Sequence, residues 1–162
     1  MKKDLVEIIE RATQDVMTTM VGFGVQCDRA LSPEQLPDTG VLSTFTLDGA
    51  ASGTAIVVCS PALACRITSL MLQTECNAVN ADVLDAMGEI ANMIVGNVKN
   101  VVEAEADAGR VTLSTPTVRV LGGALNQEGD TKSEFITVAF RYNQSSFLSV
   151  SFSSQDGVFQ RV

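Results

Sequence analysis

The stretch ADVLDAMGEIANMIVGNVKNVVEAEA, residues 81–106, predicts one long helix around which the rest of the fold is arranged. At about 100° per residue, its apolar side chains fall on one side and form a core face. The predicted core face comprises Leu84, Met87, Ala91, Ile94, Val98 and Val101. The opposite side carries a polar ridge of Asp85, Glu89, Asn92, Gly96, Lys99 and Glu103. The pattern therefore indicates a helix that buries one face and exposes the other.

Two glycines, Gly88 and Gly96, stand on either side of the Glu89–Asn92 pair on this ridge. A glycine inside a helix costs roughly 1 kcal/mol relative to alanine, and Asn92 between them belongs to a residue type that prefers caps and turns. A solvated face, with Lys99 and Glu103 paired one turn apart, is the simplest interpretation. A glycine on the exposed ridge instead favours a docking site, because it leaves room for another backbone to approach.

The remaining segments predict further helices and strands in a repeated order. Helices are predicted at 4–20 and from 61 to about 72, the latter capped by Ser60. Strands are predicted at 24–30, 41–48, 53–59, 110–121, 134–142 and 146–153, with loops at 31–40 and 122–133. One helix-plus-three-strand unit therefore occurs twice, without evident identity between the halves. This indicates a single α+β domain over residues 1–162, with long helices packed on a mostly antiparallel sheet.

Composition and charge exclude several classes of protein. The chain has 162 residues, of which 46 % are hydrophobic, and a net charge of −8. An acidic chain is a poor ligand for a phosphate backbone, so no nucleic-acid partner is expected. The sequence contains no run of about 18 apolar residues, so no membrane span is expected. The start MKKDLVEIIER lacks the apolar region of a secretory signal, so a cytoplasmic protein is expected.

The residue types that are missing narrow the possible chemistry. The chain has no histidine, which excludes Ser-His-Asp and Cys-His catalysis and a mixed cysteine–histidine zinc site. Its four cysteines form no C-x-x-C pair, and reduced thiols are expected. Acid–base work would therefore fall to carboxylates, lysines or the single tyrosine, Tyr142.

A sequence pattern on the ridge resembles a known signature. Residues 85–92 have the pattern D-x-x-x-E-x-x-N, Gly96-Asn97 follows, and the later stretch LSTPTVRV supplies Pro116. This combination resembles the signature of the CheC/CheX/FliY phosphatases of bacterial chemotaxis. The spacing departs slightly, since 23 residues separate Asn92 from Pro116 and the family pattern has about one fewer.

The number of motifs points to one branch of that family. CheC-like members with two sites carry the motif on the first helix as well. Here that helix offers Glu7, Glu10 and Gln14, with no asparagine three residues after a glutamate. A single motif in a chain of this length is most similar to CheX-like proteins, which implies a CheC-like fold and a homodimer.

The resemblance implies a hydrolase that removes the aspartyl phosphate of a CheY-type response regulator. It assigns catalysis to Glu89 and Asn92, with Asn92 orienting the attacking water and Glu89 pairing with the regulator's active-site lysine. Asp85, Gly88 and Gly96 are expected at the contact with the partner, and Pro116 is expected to be structural. The regulator supplies Mg²⁺, so no metal or cofactor of the chain's own is expected.

Two other interpretations stay open. A chain that keeps this fold could act as a non-catalytic adaptor or binding module for a response regulator. Alternatively, Asp85, Glu89 and Asn92 could be oxygen ligands for Mg²⁺ or Ca²⁺ in a metal-dependent enzyme. A single helical ridge rarely surrounds a cation alone, and no other acidic cluster in the sequence obviously joins it.

Overall fold

Three α-helices and seven strands make up the part of the chain that the computed structural model describes, which comprises residues 4–29, 39–49, 52–106, 109–121 and 135–154. The helices are α1 (Leu5–Val16), which continues into a π-helical turn (Met17–Val21), α2 (Pro61–Leu72) and α3 (Ala81–Ala106). The strands are β1 (Gln26–Cys27), β2 (Gly40–Gly49), β3 (Gly53–Cys59), β4 (Val111–Leu113), β5 (Thr117–Leu121), β6 (Ile136–Asn143) and β7 (Ser146–Ser154).

The strands form a single antiparallel sheet in the order β1-β6-β7-β3-β2-β4, with β5 also paired to β2. This order is nearly symmetric about the central β7–β3 pair. Each half of the chain places its first strand beside the second strand of the other half, so the halves are interleaved. The predicted α+β class, with two helix-plus-three-strand halves on an antiparallel sheet, is confirmed.

The helices cover the sheet over a core whose largest fully buried rings are Phe45, Phe140 and Phe152. Helix α3 contacts α1, α2 and the strands β2, β4 and β5. It is therefore buried over a wider arc than one apolar stripe. Its fully buried side chains include the predicted Met87, Ala91, Ile94 and Val98, and also Val83, Ile90, Val95 and Val102.

The predicted core face of α3 was thus slightly misplaced. Leu84 and Val101, which belong to the predicted core face, are only partly buried at the margin of the core. Val83 and Ile90, which the predicted core face leaves out, are fully buried in a helix that packs against α1 as well as the sheet.

Several predicted boundaries differ from those observed. The predicted strand 24–30 shrinks to two residues, and the predicted strand 110–121 is two strands with a break at 114–116. Ser60 does not cap α2 with its side chain; its Oγ instead accepts a hydrogen bond from the Phe147 N–H at 2.9 Å. Most of the predicted loops 31–40 and 122–133 lies outside the described residues.

The thiols and the helices agree with the sequence-based expectations. All four cysteines are free, and Cys59 is completely buried, as expected for a core thiol. Among the residues that the structure describes, none of the helices is long and apolar enough to cross a membrane.

Candidate functional site

The polar residues of the predicted motif line an open groove. Asp85, Glu89 and Asn92 are exposed on the first half of α3, where residues one turn apart share one face. They line one side of a groove of about 780 Å³, and the end of β4 and the start of β5 line the other side. The residues that line it are Leu84, Asp85, Gly88, Glu89, Asn92, Leu113, Ser114, Thr115, Pro116 and Val118. The folding of the chain therefore brings Pro116 to the same groove as the acidic and amide residues of the helix.

The far wall of the groove is a β-bulge. Regular pairing of β2 with β4 ends at Leu47 and Leu113, and pairing with β5 starts at Thr44 and Thr117. Three residues, 114–116, therefore stand opposite two residues of β2. Bulges of this kind bend a strand and redirect its side chains. Pro116 suits the break because it has no N–H to donate to a ladder.

Gly88 lets the helix lie directly against this wall. It is buried, and a Cβ added there would come within 3.2 Å of Val118 Cγ2 and 3.8 Å of Pro116 Cγ. The sequence interpretation gave Gly88 to a partner and missed the neighbour that this glycine admits, which is the chain's own strand. A contact between Gly88 and a partner stays a prediction. Pro116 lies at this contact, and the structural role expected of it stays a prediction.

Gly96 has different surroundings. It lies on the half-buried flank of α3, and among the described residues no atom beyond its chain neighbours and the adjacent helix backbone lies within 4 Å of a Cβ added there. The sequence placed Gly96 on the ridge as a point of close approach for a partner. The open space leaves that role possible, and the role stays a prediction.

Substitutions at Gly96 separate a docking role from a solvated helix face. Gly96→Ala should stabilise the protein by a few tenths to about 1 kcal/mol, since alanine is the better helix former and its methyl group meets no neighbour. Gly96→Leu should fold equally well, yet weaken binding of a partner whose backbone approaches there. Thermal melts and partner titrations check the two effects separately. Unchanged affinity in Gly96→Leu removes the docking role, and a lowered melting temperature shows that this flank is buried.

The second half of the ridge is occupied by structural contacts. Lys99 Nζ lies 3.0 Å from Glu103 Oε1, so the predicted ion pair is confirmed. Glu103 also accepts a hydrogen bond from the Val111 N–H at 3.0 Å, which ties the end of α3 to the start of β4. This hydrogen bond, followed by the one from Lys99, lowers the pKa of the Glu103 carboxyl. Only the Asp85–Asn92 part of the ridge borders the groove.

The corresponding polar residues on α1 do not form a second ridge of this kind. The Glu10 carboxylate pairs with Arg29 at 2.8 Å and accepts a hydrogen bond from the Cys27 thiol at 3.1 Å. Burial, together with the hydrogen bond to Glu10, raises the pKa of Cys27 to about 11. The Gln14 amide donates to the Val25 carbonyl and accepts from the Val25 N–H.

These α1 side chains therefore fasten the helix to the segment around β1. Glu7 is exposed and lines a separate, smaller groove between α1 and α3. In agreement with the sequence, the acid–amide ridge beside a proline-bearing bulge occurs on α3.

The fold and the groove together define a class of protein. An antiparallel sheet covered by long helices is the fold that this chain shares with solved CheX and CheC-like proteins. The profile of the family described as "Chemotaxis phosphatase CheX" matches residues 41–141. The chain therefore belongs to the CheX family of chemotaxis phosphatases, and the resemblance seen in the sequence is confirmed. No curated protein matches the chain significantly.

Solved structures with the same fold include three that span nearly the whole chain. The chemotaxis protein CheX from Vibrio vulnificus is 20 % identical, with 94 % of this chain and 97 % of that chain covered and a TM-score of 0.77. In the CheX–CheY–BeF3–Mg²⁺ complex from Borrelia burgdorferi the matching chain is 18 % identical, with coverages of 93 % and 97 % and a TM-score of 0.75. Thermotoga maritima FliY is 15 % identical, with coverages of 96 % and 89 % and a TM-score of 0.69. At these identities the likeness concerns the fold.

Proposed function

We propose that the chain dephosphorylates the aspartyl phosphate of a CheY-type response regulator, which docks on the groove between α3 and the β4–β5 bulge. The observation that carries this proposal is the exposure of Glu89 and Asn92 on one helical ridge that opens onto this groove. Within the described part of the chain, neither side chain has a hydrogen-bond or ion-pair partner, so both are available to another molecule. The family assignment supports the reaction, and the solved complex of a relative with CheY supports the class of partner.

The chemistry needs little more than positioning. Water attacks phosphorus in line, the bond from phosphorus to the aspartyl oxygen breaks, and inorganic phosphate and a free carboxylate result. Charge in such a reaction develops on the phosphoryl oxygens and the leaving carboxylate, so a catalyst can act by orienting the water and by electrostatics. An amide suits the first task, because its carbonyl accepts a hydrogen bond from water while its N–H donates to a phosphoryl oxygen. Asn92 is the residue proposed for it.

Glu89 is proposed to hold the partner's active site in place. Residues three apart on a helix lie about 5–6 Å apart, so a regulator that meets Asn92 also meets Glu89. A carboxylate there can form a charge-assisted hydrogen bond with the regulator's lysine. Asp85, one turn earlier, adds negative charge at the same edge of the groove and favours a basic partner surface. In this proposal the regulator supplies the Mg²⁺. The chain is proposed to act on the regulator in the cytoplasm, as a homodimer.

The experiment that tests the proposal has two readouts. CheY-type regulators are titrated with the chain in their beryllofluoride-activated and unactivated states, and the phosphorylated regulators are followed for phosphate loss. We expect tighter binding of the activated state and faster phosphate loss. Tight binding without faster loss would favour the adaptor interpretation instead. Sedimentation of the free chain tests the homodimer, and a monomer at all concentrations would contradict it.

The metal-site interpretation predicts that the free chain binds a divalent cation tightly, whereas the proposed function predicts that it does not. Asp85, Glu89 and Asn92 lie along one ridge, and among the described residues no group of three acidic, cysteine or histidine residues is placed to share an ion. Calorimetric titration with Mg²⁺ or Ca²⁺ should therefore show no tight site in the absence of a regulator. Tight binding that disappears in Glu89→Gln would establish a metal site and overturn the proposed roles.

A further inference from the structure

The bulge that forms the far wall of the groove is held by the side chain of Ser114. The Ser114 N–H donates to the Thr46 carbonyl at 3.0 Å, as in a regular ladder. The return bond is different, since the Thr46 N–H donates to Ser114 Oγ at 2.9 Å. The Ser114 hydroxyl in turn donates to the Thr115 carbonyl at 3.0 Å. The Ser114 hydroxyl therefore gives the Thr46 amide its hydrogen-bond partner and also binds the Thr115 carbonyl.

The side-chain oxygen takes the place that a backbone carbonyl holds in an antiparallel pair. The backbone after Ser114 is thereby released from the ladder while the Thr46 amide keeps its partner. Residues 114–116 can then bulge away from β2, and pairing resumes at Thr117. The bulge brings Pro116 Cγ to 3.8 Å from the position of a Cβ on Gly88, across the groove floor.

We infer that Ser114 is a positioning residue, which sets the distance between the Pro116 wall and the α3 ridge and so shapes the groove for the regulator. This inference rests on the proposed function for its consequence in catalysis. Its structural part, the position of the wall, stands on the hydrogen bonds alone. Ser114 acts through Pro116 and touches no reacting atom, so it should affect docking more than the chemical step.

The test compares two residues of the same shape at position 114. Threonine keeps the hydroxyl oxygen and valine lacks it, so Ser114→Thr and Ser114→Val differ in that atom while adding similar bulk. Thr112→Val is the matched control, because Thr112 is an exposed residue of β4, two residues before Ser114, that does not line the groove. For each variant we measure KM and kcat for dephosphorylation, exchange of the Thr46 amide, and the nuclear Overhauser contact between Gly88 and Pro116.

Ser114→Val should raise KM roughly three- to tenfold, the range expected for one hydrogen bond, with kcat changed by less than about twofold. The Thr46 amide should exchange faster and the Gly88–Pro116 contact should weaken. Ser114→Thr and Thr112→Val should both resemble the wild type. Equal KM values for Ser114→Thr and Ser114→Val would overturn the inference, as would an unchanged Thr46 amide.

The two proposals fail in different ways. If the wild-type chain accelerates dephosphorylation of no regulator, the proposed function fails. The amide exchange and the Gly88–Pro116 contact then still decide whether Ser114 holds the wall. If the wild type is active and those two signals do not respond to Ser114→Val, the inference about Ser114 fails alone.

Discussion

Asn92→Ala is expected to abolish the acceleration of regulator dephosphorylation while leaving the fold intact. Asn92 is exposed on α3 and makes no contribution to the core, so its truncation should scarcely change the free energy of unfolding. The amide is the proposed group that orients water, and misplacing a reactant can cost about 10²-fold in rate. Phosphate loss should return to the regulator's own rate, while affinity for the beryllofluoride-activated regulator falls much less.

The chain provides a matched control for this substitution. Asn100 is also an exposed asparagine of α3, and it lies outside the groove that contains Asn92. Asn100→Ala should keep wild-type activity and melt at or slightly above the wild-type temperature, because alanine is the better helix former. Wild-type rates in purified, folded Asn92→Ala would show that the assignment of the water-orienting residue is wrong.

A bulkier residue at Gly88 should have the largest effect on stability among the groove residues. The Cβ of any substituent would lie 3.2 Å from Val118 Cγ2, and valine adds two more methyl groups to a buried position. Overpacking of this kind costs about 1–3 kcal/mol, which exceeds the few tenths that valine gains over glycine as a helix former. Gly88→Val should therefore lower the melting temperature and also push the Pro116 wall away from the ridge.

A double-mutant cycle isolates the contact responsible. In the background of Val118→Ala the methyl group that blocks position 88 is gone, so Gly88→Ala should stabilise the protein by up to about 1 kcal/mol. In the wild-type background the same substitution should gain less, because Val118 must first shift. Identical effects in the two backgrounds would mean that α3 does not rest on Val118.

The architecture was readable from the sequence wherever one face of an element is buried. The α3 bounds and the β3 bounds match the predicted ranges because their apolar patterns run to a clear stop. The sequences of strands β6 and β7 alternate with a period of two, and Val138 and Phe140 are buried as predicted, although Ala139 on the opposite face is buried as well. The groove residues Asp85, Glu89 and Asn92 could be located because polar side chains beside a glycine are unusual on such a helix.

What the sequence could not provide depends on contacts between distant segments. Gly88 was interpreted as space for a partner, since nothing in its neighbourhood in the sequence reveals that Val118 packs on it. The bulge was predicted as continuous strand, because Ser114 resembles any strand serine until Thr46 is placed opposite it. The proline inside that strand was the one available signal for the break, since proline cannot donate to a ladder.

The predicted core face of α3 is partly wrong for a similar reason. A single stripe was assumed, whereas the helix packs on α1 and on the sheet together, so Val83 and Ile90 are buried beside the predicted residues. The exposed positions were less sensitive to this error. Asp85, Glu89 and Asn92 stayed on the solvent side, next to the groove.

The central claim is that this groove accelerates hydrolysis of an aspartyl phosphate on a partner regulator. The most direct measurement is the single-turnover rate of phosphate loss from a phosphorylated CheY-type regulator, as a function of the concentration of the wild-type chain. The account predicts a rate that rises above the regulator's own and saturates as the groove fills. A rate that stays at the regulator's own value while a complex with the activated regulator forms would contradict it.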